Sequence, residues 1–171
     1  LAFLFISGPS MFRLKLGLIV AAVLVVVMWI FKLHRGVILW AGVVFFAYAI
    51  ISVVFLENMW TIRHMGILAN AALATGAWIS VLIKKPFTLD YAREHTDPSM
   101  WKAPSFIKTN YILTCIWGSV FLIGVLNAWL KMVNPQIPAW VFEGVQYLLL
   151  FGTMFFTTWY PGYVRKKVSK G

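Results

Sequence analysis

Apolar residues in this chain come in long unbroken runs, not in alternation with polar ones. Five runs stand out, at 16–31, 36–56, 65–83, 106–130 and 137–160. A spanning helix needs roughly 20 mainly apolar residues, and each run meets or approaches that length. The first is short, and Lys15 can snorkel at its end. The fourth is longer than needed, which predicts tilt or a partly interfacial end. Lipid offers backbone groups no water, so runs of this kind predict helices, and the alternation of membrane barrel strands is missing. Residues 1–6 are apolar and end at Ser7-Gly8-Pro9-Ser10. With no basic stretch ahead of them they read as the stub of a further helix and not as a signal peptide. The longest polar stretch, 84–105, is too short for a core of its own. The pattern predicts an all-α, polytopic transmembrane helix bundle, a single domain over 1–171. It has five visible spans plus an N-terminal helix stub, six helices when the stub is completed.

Composition agrees. Hydrophobic residues make up 61% of the chain and charged residues 12%, about half the charge of an ordinary soluble domain. The surplus apolar surface must face something apolar, and lipid is the simple partner; an unusually apolar soluble bundle is the competing reading. The net charge is +10, from 15 Lys+Arg against 5 Asp+Glu. In a soluble protein this balance would suggest nucleic acid. Here the basic residues sit in short segments between apolar runs, which suits anionic lipid headgroups, and no nucleic-acid partner is expected. The single cysteine, Cys115, lies inside an apolar run. It rules out an intrachain disulfide and reads as a small buried apolar residue.

Charge also predicts orientation. One side of the bundle would carry Arg13, Lys15, Arg63 and Lys131. The other would carry Lys32, Arg35, Lys84, Lys85, Arg93, Lys102, Lys108, Arg165, Lys166, Lys167 and Lys170. The richer side is expected to be cytoplasmic, with the C-terminus inside a bacterial-type inner membrane. Trp60, Trp101, Trp140, Trp159 and Tyr160 fall near run ends, where amphipathic rings prefer to lie, whereas Trp78 and Trp117 lie deeper as packing or groove residues.

The segment after the third run is distinctive. Lys84 and Lys85 suit the C-terminal end of a helix dipole, and Pro86 blocks simple continuation. Phe87, Leu89 and Tyr91 are then mixed with Asp90, Arg93 and Glu94, with His95 at the end. This predicts a short helix in the cytoplasmic interface, followed by a turn or helix start at Asp97-Pro98. Lys84, Lys85, Asp90, Tyr91, Arg93, Glu94 and His95 are the candidate interface residues.

Few residues offer chemistry. His34, His64 and His95 lie near loops, without a metal-binding spacing, so no metal, haem or other cofactor is expected. Glu143 falls inside the fifth run near Trp140, and Glu57 at the end of the second. Ionisable groups in spans are functional candidates, although these two could simply reach the headgroups, face each other, or pair with Arg63. Asn70 and Asn127 lie deeper and suit interhelical hydrogen bonds or a transport path. Ala69, Ala71, Ala72, Ala74, Gly76 and Ala77 mark the third run for close packing, as do Gly118, Gly124 and Ala128 in the fourth. Asp90, Glu94 and His95 could act as acid–base groups, but no nucleophile, base and orienting group stand together and no phosphate loop is present.

Five features occur in order: Glu57-Asn58 in a short loop, the alanine-rich third run, Lys84-Lys85-Pro86, Trp117 in the fourth run, and Gly124-Val125-Leu126-Asn127-Ala128. Together they resemble the intracellular septation protein A family of small bacterial inner-membrane proteins, over roughly 36–167. The Lys-Lys-Pro and Gly-x-x-Asn elements carry most of the resemblance. It implies a six-helix protein connected with envelope synthesis or division, and no catalytic residues. The expected function is a non-enzymatic membrane scaffold or accessory subunit that packs against other membrane proteins. The alternatives are a small-molecule or lipid transporter with a polar path through Asn70, Asn127 and Glu143, and a membrane enzyme using Asp90, Arg93, Glu94 and His95.

Overall fold

The computed structural model describes residues 11–30 and 37–168, with side chains described except at 11–14, 25, 28–30 and 168. The N-terminal stub, Lys32, His34, Arg35, Lys170 and the Arg13 side chain lie outside the described residues. Every described element is helical. The order is α1 (Met11–Ile30), α2 (Val37–Ala49, continuing as a π-helical turn over Ile50–Phe55), α3 (Met59–Leu82), α4 (Thr88–Glu94), a 3-10 turn (Pro98–Met100), α5 (Pro104–Val133) and α6 (Ala139–Val168). Four stretches among the described residues are long and apolar enough to cross a membrane: Val37–Phe55, Met59–Leu82, Pro104–Val133 and Ala139–Lys167. In α1 the corresponding apolar stretch is shorter, Lys15–Leu24.

Several helices outrun their apolar runs, and local chemistry explains where they stop. The third begins at Met59 rather than 65 because Asn58 caps it, its side chain accepting from the Thr61 N–H at 3.1 Å. Helix α5 begins on Pro104, where a missing N–H costs nothing. The last continues through Pro161 to Val168, where Arg165, Lys166 and Lys167 meet the negative end of the helix dipole. At 30 residues each, α5 and α6 are about 45 Å long and extend beyond the roughly 30 Å hydrocarbon layer.

The end of α3 is a tightly bonded reversal. The Lys84 N–H donates to Val81 O and the Lys85 N–H to Ser80 O, which places Lys84 in the left-handed region at φ 58°. Glycine holds that conformation without the Cβ clash that strains lysine. Lys84→Gly is therefore expected to raise stability by about 1 kcal/mol, read as a higher unfolding midpoint in detergent.

Neighbouring helices run antiparallel in chain order, with α3 and α5 forming the central pair. Their seam is built from small residues. A Cβ on Gly66 would lie 3.3 Å from Ala128, one on Gly118 3.0 Å from Trp78 Nε1, and one on Gly124 2.8 Å from Asn70 Cγ. Across the other face of α3, a Cβ on Gly76 would come within 2.9 Å of Ala41 on α2. Lipid tails are as apolar as leucine, so close backbone approach replaces the hydrophobic drive between helices. Two apolar clusters flank the seam. One joins Leu18, Ala49, Val53 and Met65. The other joins Ala74, Ala77, Phe121 and Phe87.

The outward faces carry Phe55, Leu82, Leu148 and Phe155, each at least 70% exposed. Such a surface is stable against lipid and unfavourable against water. The bundle is a membrane-embedded helical protein.

Candidate functional site

The antiparallel order gathers charge at two ends. Lys15, Glu57, Arg63, Lys131 and Glu143 belong to one end. Lys84, Lys85, Arg93, Lys102, Lys108, Arg165, Lys166 and Lys167 belong to the other.

The two carboxylates near the first end take other partners than those expected. Glu57 bonds to Lys15, and Glu143 bonds to Lys131 at 3.0 Å, and neither pairs with Arg63 or faces the other. The cause lies in the packing: α1 lies along the π-helical end of α2, which brings Lys15 to Glu57 at the loop. The hydrogen bond and charge of Lys15 hold the Glu57 carboxyl below its ordinary 4.5. A depressed folded pKa stabilises the fold above the unfolded value, and this contribution disappears as pH falls through the folded value, which lies below 4.5. Glu57→Gln is expected to lower the unfolding midpoint slightly at neutral pH, the pair being exposed. The difference from the native chain is expected to vanish in acid below that range.

Asn70 and Asn127 are used in packing. Asn70 donates to Gly66 O at 2.9 Å and lies against Gly124. Asn127 donates across from α5 to Phe142 O on α6 at 2.9 Å. Neither they nor Glu143 line the cavity at the basic end.

The cavity lies at the basic end, between α4, α5 and α6, with Ile38 of α2 reaching its wall. Its volume is about 1070 Å³, at the upper end of the range for small-molecule sites. The segment after α3 forms one side of it. That segment is docked into the bundle more firmly than an interfacial helix would be: Pro86, Phe87, Thr88 and Leu89 are all buried. Phe87 N–H donates to Ser80 Oγ at 3.2 Å, and Ser80 Oγ–H donates to Ala77 O. Thr88 Oγ–H donates to Asn110 O at 2.8 Å, so the 2.9 Å contact between the two threonine hydroxyls takes its proton from Thr114.

This anchoring splits the candidate interface residues. Lys84, Lys85, Arg93, Glu94 and His95 are exposed. Arg93 lies 3.8 Å from Asp90 and 5.6 Å from the centre of the Trp101 ring. Burial raises the Asp90 carboxyl against the pull of Arg93. Tyr91 turns inward to the cavity wall, where burial pushes its phenol up to about 12. His95 stands at the same wall, whereas Asp90 and Glu94 do not line it. Among the described residues there is no group of three metal-ligating side chains.

The opposite wall was not anticipated as a site. Asn110, Leu113, Trp117 and Phe121 form one face of α5, and Met154, Thr157, Pro161 and Arg165 one face of α6. Trp117 Nε1–H donates to Thr157 Oγ1 at 3.0 Å and ties the two helices together. The sequence signal was a helical spacing inside one apolar run: Asn110, Thr114 and Trp117 recur at four and three residues.

The cavity has a polarity gradient. Taking the Trp117–Thr157 bond as a level, Asn110 is seven residues toward the basic end on α5, about 10 Å, and Arg165 eight residues on α6, about 12 Å. Asn110, His95 and Arg165 thus lie toward the basic end, with Trp117, Phe121 and Met154 farther from it. Asn110 is 2% exposed. Its amide N–H donates to Phe106 O at 2.9 Å, but its Oδ1 has no partner among the described residues.

No family model, curated protein or solved structure matches this chain.

Proposed function

We propose that this chain is a non-enzymatic lipid-handling protein of a bacterial-type inner membrane, which holds an amphiphile in the cavity at its basic end. The observation that carries this reading is the cavity itself, about 1070 Å³, with Arg165 and His95 in its lining toward the basic end and Trp117 and Phe121 farther along it. A cavity basic at one end and apolar at the other suits a molecule with one wet and one apolar end. The basic end is read as cytoplasmic, from the excess of lysine and arginine there. The resemblance to the septation protein A family supplies a setting in envelope synthesis or division. The polar path once open to Asn70, Asn127 and Glu143 is set aside in favour of this cavity.

The test is purification in mild detergent followed by mass spectrometry of the retained lipid. The native chain is expected to retain about one lipid per protein. A chain narrowed at the cavity wall by Ala92→Trp and Thr158→Trp is expected to lose it. Equal retention by a folded double variant would overturn the reading.

A scaffold or accessory role draws on a separate observation. Gly144 and Gly152 on α6 have nothing within 4 Å of where a Cβ would sit, so a helix of another membrane protein can approach there. A partner that co-purifies with the native chain and is lost with Gly152→Phe would support that role. A chain that purifies only as a lone monomer would count against it.

A further inference from the structure

We infer that the lipid enters the cavity sideways from the leaflet at the basic end, through a slit between α4 and α6, and that the end of α6 swings about Pro161-Gly162 to open it. This rests on the lipid-handling reading and adds the route and the moving part.

Helix packing leaves the slit. Helices α4 and α6 each pack on α5, and their backbones do not pack on one another. Tyr91, Ala92 and His95 line the cavity from α4, and Thr158, Pro161 and Arg165 line it from α6. With α5 behind it, the side between α4 and α6 has no helix–helix seam to seal it.

Depth sets the slit against lipid. At 30 residues, α6 overruns the hydrocarbon layer by about 15 Å. Shared between its two ends, that is about five residues each, and the boundary falls near Tyr163. Trp159 and Tyr163 are half exposed there, their rings stacked at 5.3 Å, where amphipathic rings prefer to lie. Thr157 and Thr158 then lie within the hydrocarbon, and Arg165, Lys166 and Lys167 among the headgroups. A phospholipid in that leaflet meets both levels of the slit.

The moving wall is the one that is not pinned. On α4, buried bonds hold the wall in place: Thr88 Oγ–H donates to Asn110 O at 2.8 Å and Phe87 N–H to Ser80 Oγ at 3.2 Å. The Trp117 bond holds α6 as far as Thr157, at 3.0 Å. Beyond that point the helix is weakened from within. The Thr157 and Thr158 hydroxyls donate back to Thr153 O and Phe155 O, a pattern that bends helices. Pro161 has no N–H to give Thr157 O, and its ring crowds that carbonyl. Gly162 follows with the freest backbone of any residue, and nothing lies within 4 Å of where its Cβ would sit. Of the four apolar spans, α6 is also the least buried. Bending at this point carries Arg165 away from His95 and widens the slit.

Exchange kinetics test this. The full chain in detergent is loaded with deuterated phosphatidylglycerol, chased with the unlabelled lipid and followed by native mass spectrometry, and affinity is titrated separately. Gly162→Ala adds a methyl group in open space outside the cavity lining. It is expected to slow loss and uptake alike by about fivefold, the helical preference of alanine over glycine expressed as a rate, with affinity unchanged. Pro161→Ala restores the bond to Thr157 O and is expected to slow exchange by at least about tenfold. Gly42→Ala on α2, in equally open space, is expected to exchange like the native chain.

Native exchange rates in both α6 variants would overturn the gate. Equal slowing by Gly42→Ala would trace the effect to the stiffness of the whole bundle and overturn the hinge. Slower loss with unchanged uptake in Gly162→Ala would mean a tighter bound state and no gate. A native chain that retains no lipid at all is a separate result, and it would sink the lipid-handling reading itself.

Discussion

Gly124→Ala is expected to destabilise the bundle, and Asn70→Ala in the same chain to recover much of the loss. A Cβ at Gly124 would collide with the Asn70 amide, 2.8 Å from its Cγ, and would come within 3.2 Å of Gln146 Oε1. Asn70 can yield only by rotating away from Gly66 O, which breaks its hydrogen bond. The alternative is separation of α3 from α5, which would open the Gly66–Ala128 and Gly118–Trp78 contacts on either side. Overpacking of this kind costs roughly 1–3 kcal/mol. Shortening Asn70 removes the obstacle at the expense of one side-chain bond to Gly66 O within α3, and such a bond is worth about 1 kcal/mol or less. The double variant should therefore lie well above Gly124→Ala and just below the native chain in unfolding midpoint. Strict additivity of the two losses would show that the seam is looser than described.

Trp117→Ala is expected to cost more, about 2–4 kcal/mol, by leaving a void where the indole packs against Phe121 with ring centres 5.6 Å apart. Trp117→Phe separates the two causes. It keeps most of the ring packing and loses only the bond to Thr157 Oγ1, so it should cost under about 1 kcal/mol. If both variants cost the same, the hydrogen bond and not the packing holds α5 to α6 beside the cavity. Unfolding midpoints in one detergent, measured side by side, read the difference.

The helices were legible in the sequence because their signal is additive. A run such as 36–56 has no charged residue, and lipid leaves such a run one backbone solution. The small residues were legible too, since Gly76, Gly118, Gly124 and Ala128 meet neighbours across helix seams. Helix ends were read less well. Hydropathy marks where a helix leaves the hydrocarbon, whereas Asn58 and the basic turn after Pro161 set where it stops. The pairing of Glu57 with Lys15 joins residues 42 apart and depends on how α1 lies beside α2. The cavity was hidden for the same reason. Nothing in the local sequence sets Asn110 apart, and only the docking of Thr88 and the packing of α6 determine what lies beside it. The segment from Lys84 to His95 was singled out as distinctive for its polar residues, whereas Phe87 and Thr88 line the cavity beside Tyr91 and His95.

The central claim is that a lipid occupies the cavity between α4, α5 and α6. The most direct test is a phospholipid with a photoreactive group in its acyl chain, cross-linked to the native chain in vesicles and mapped by peptide. Labelling concentrated at Trp117, Phe121 and Met154, and competed by unlabelled phosphatidylglycerol, is the predicted result. Labelling spread over the outward residues, such as Phe55, Leu148 and Phe155, with none in the cavity, would contradict it.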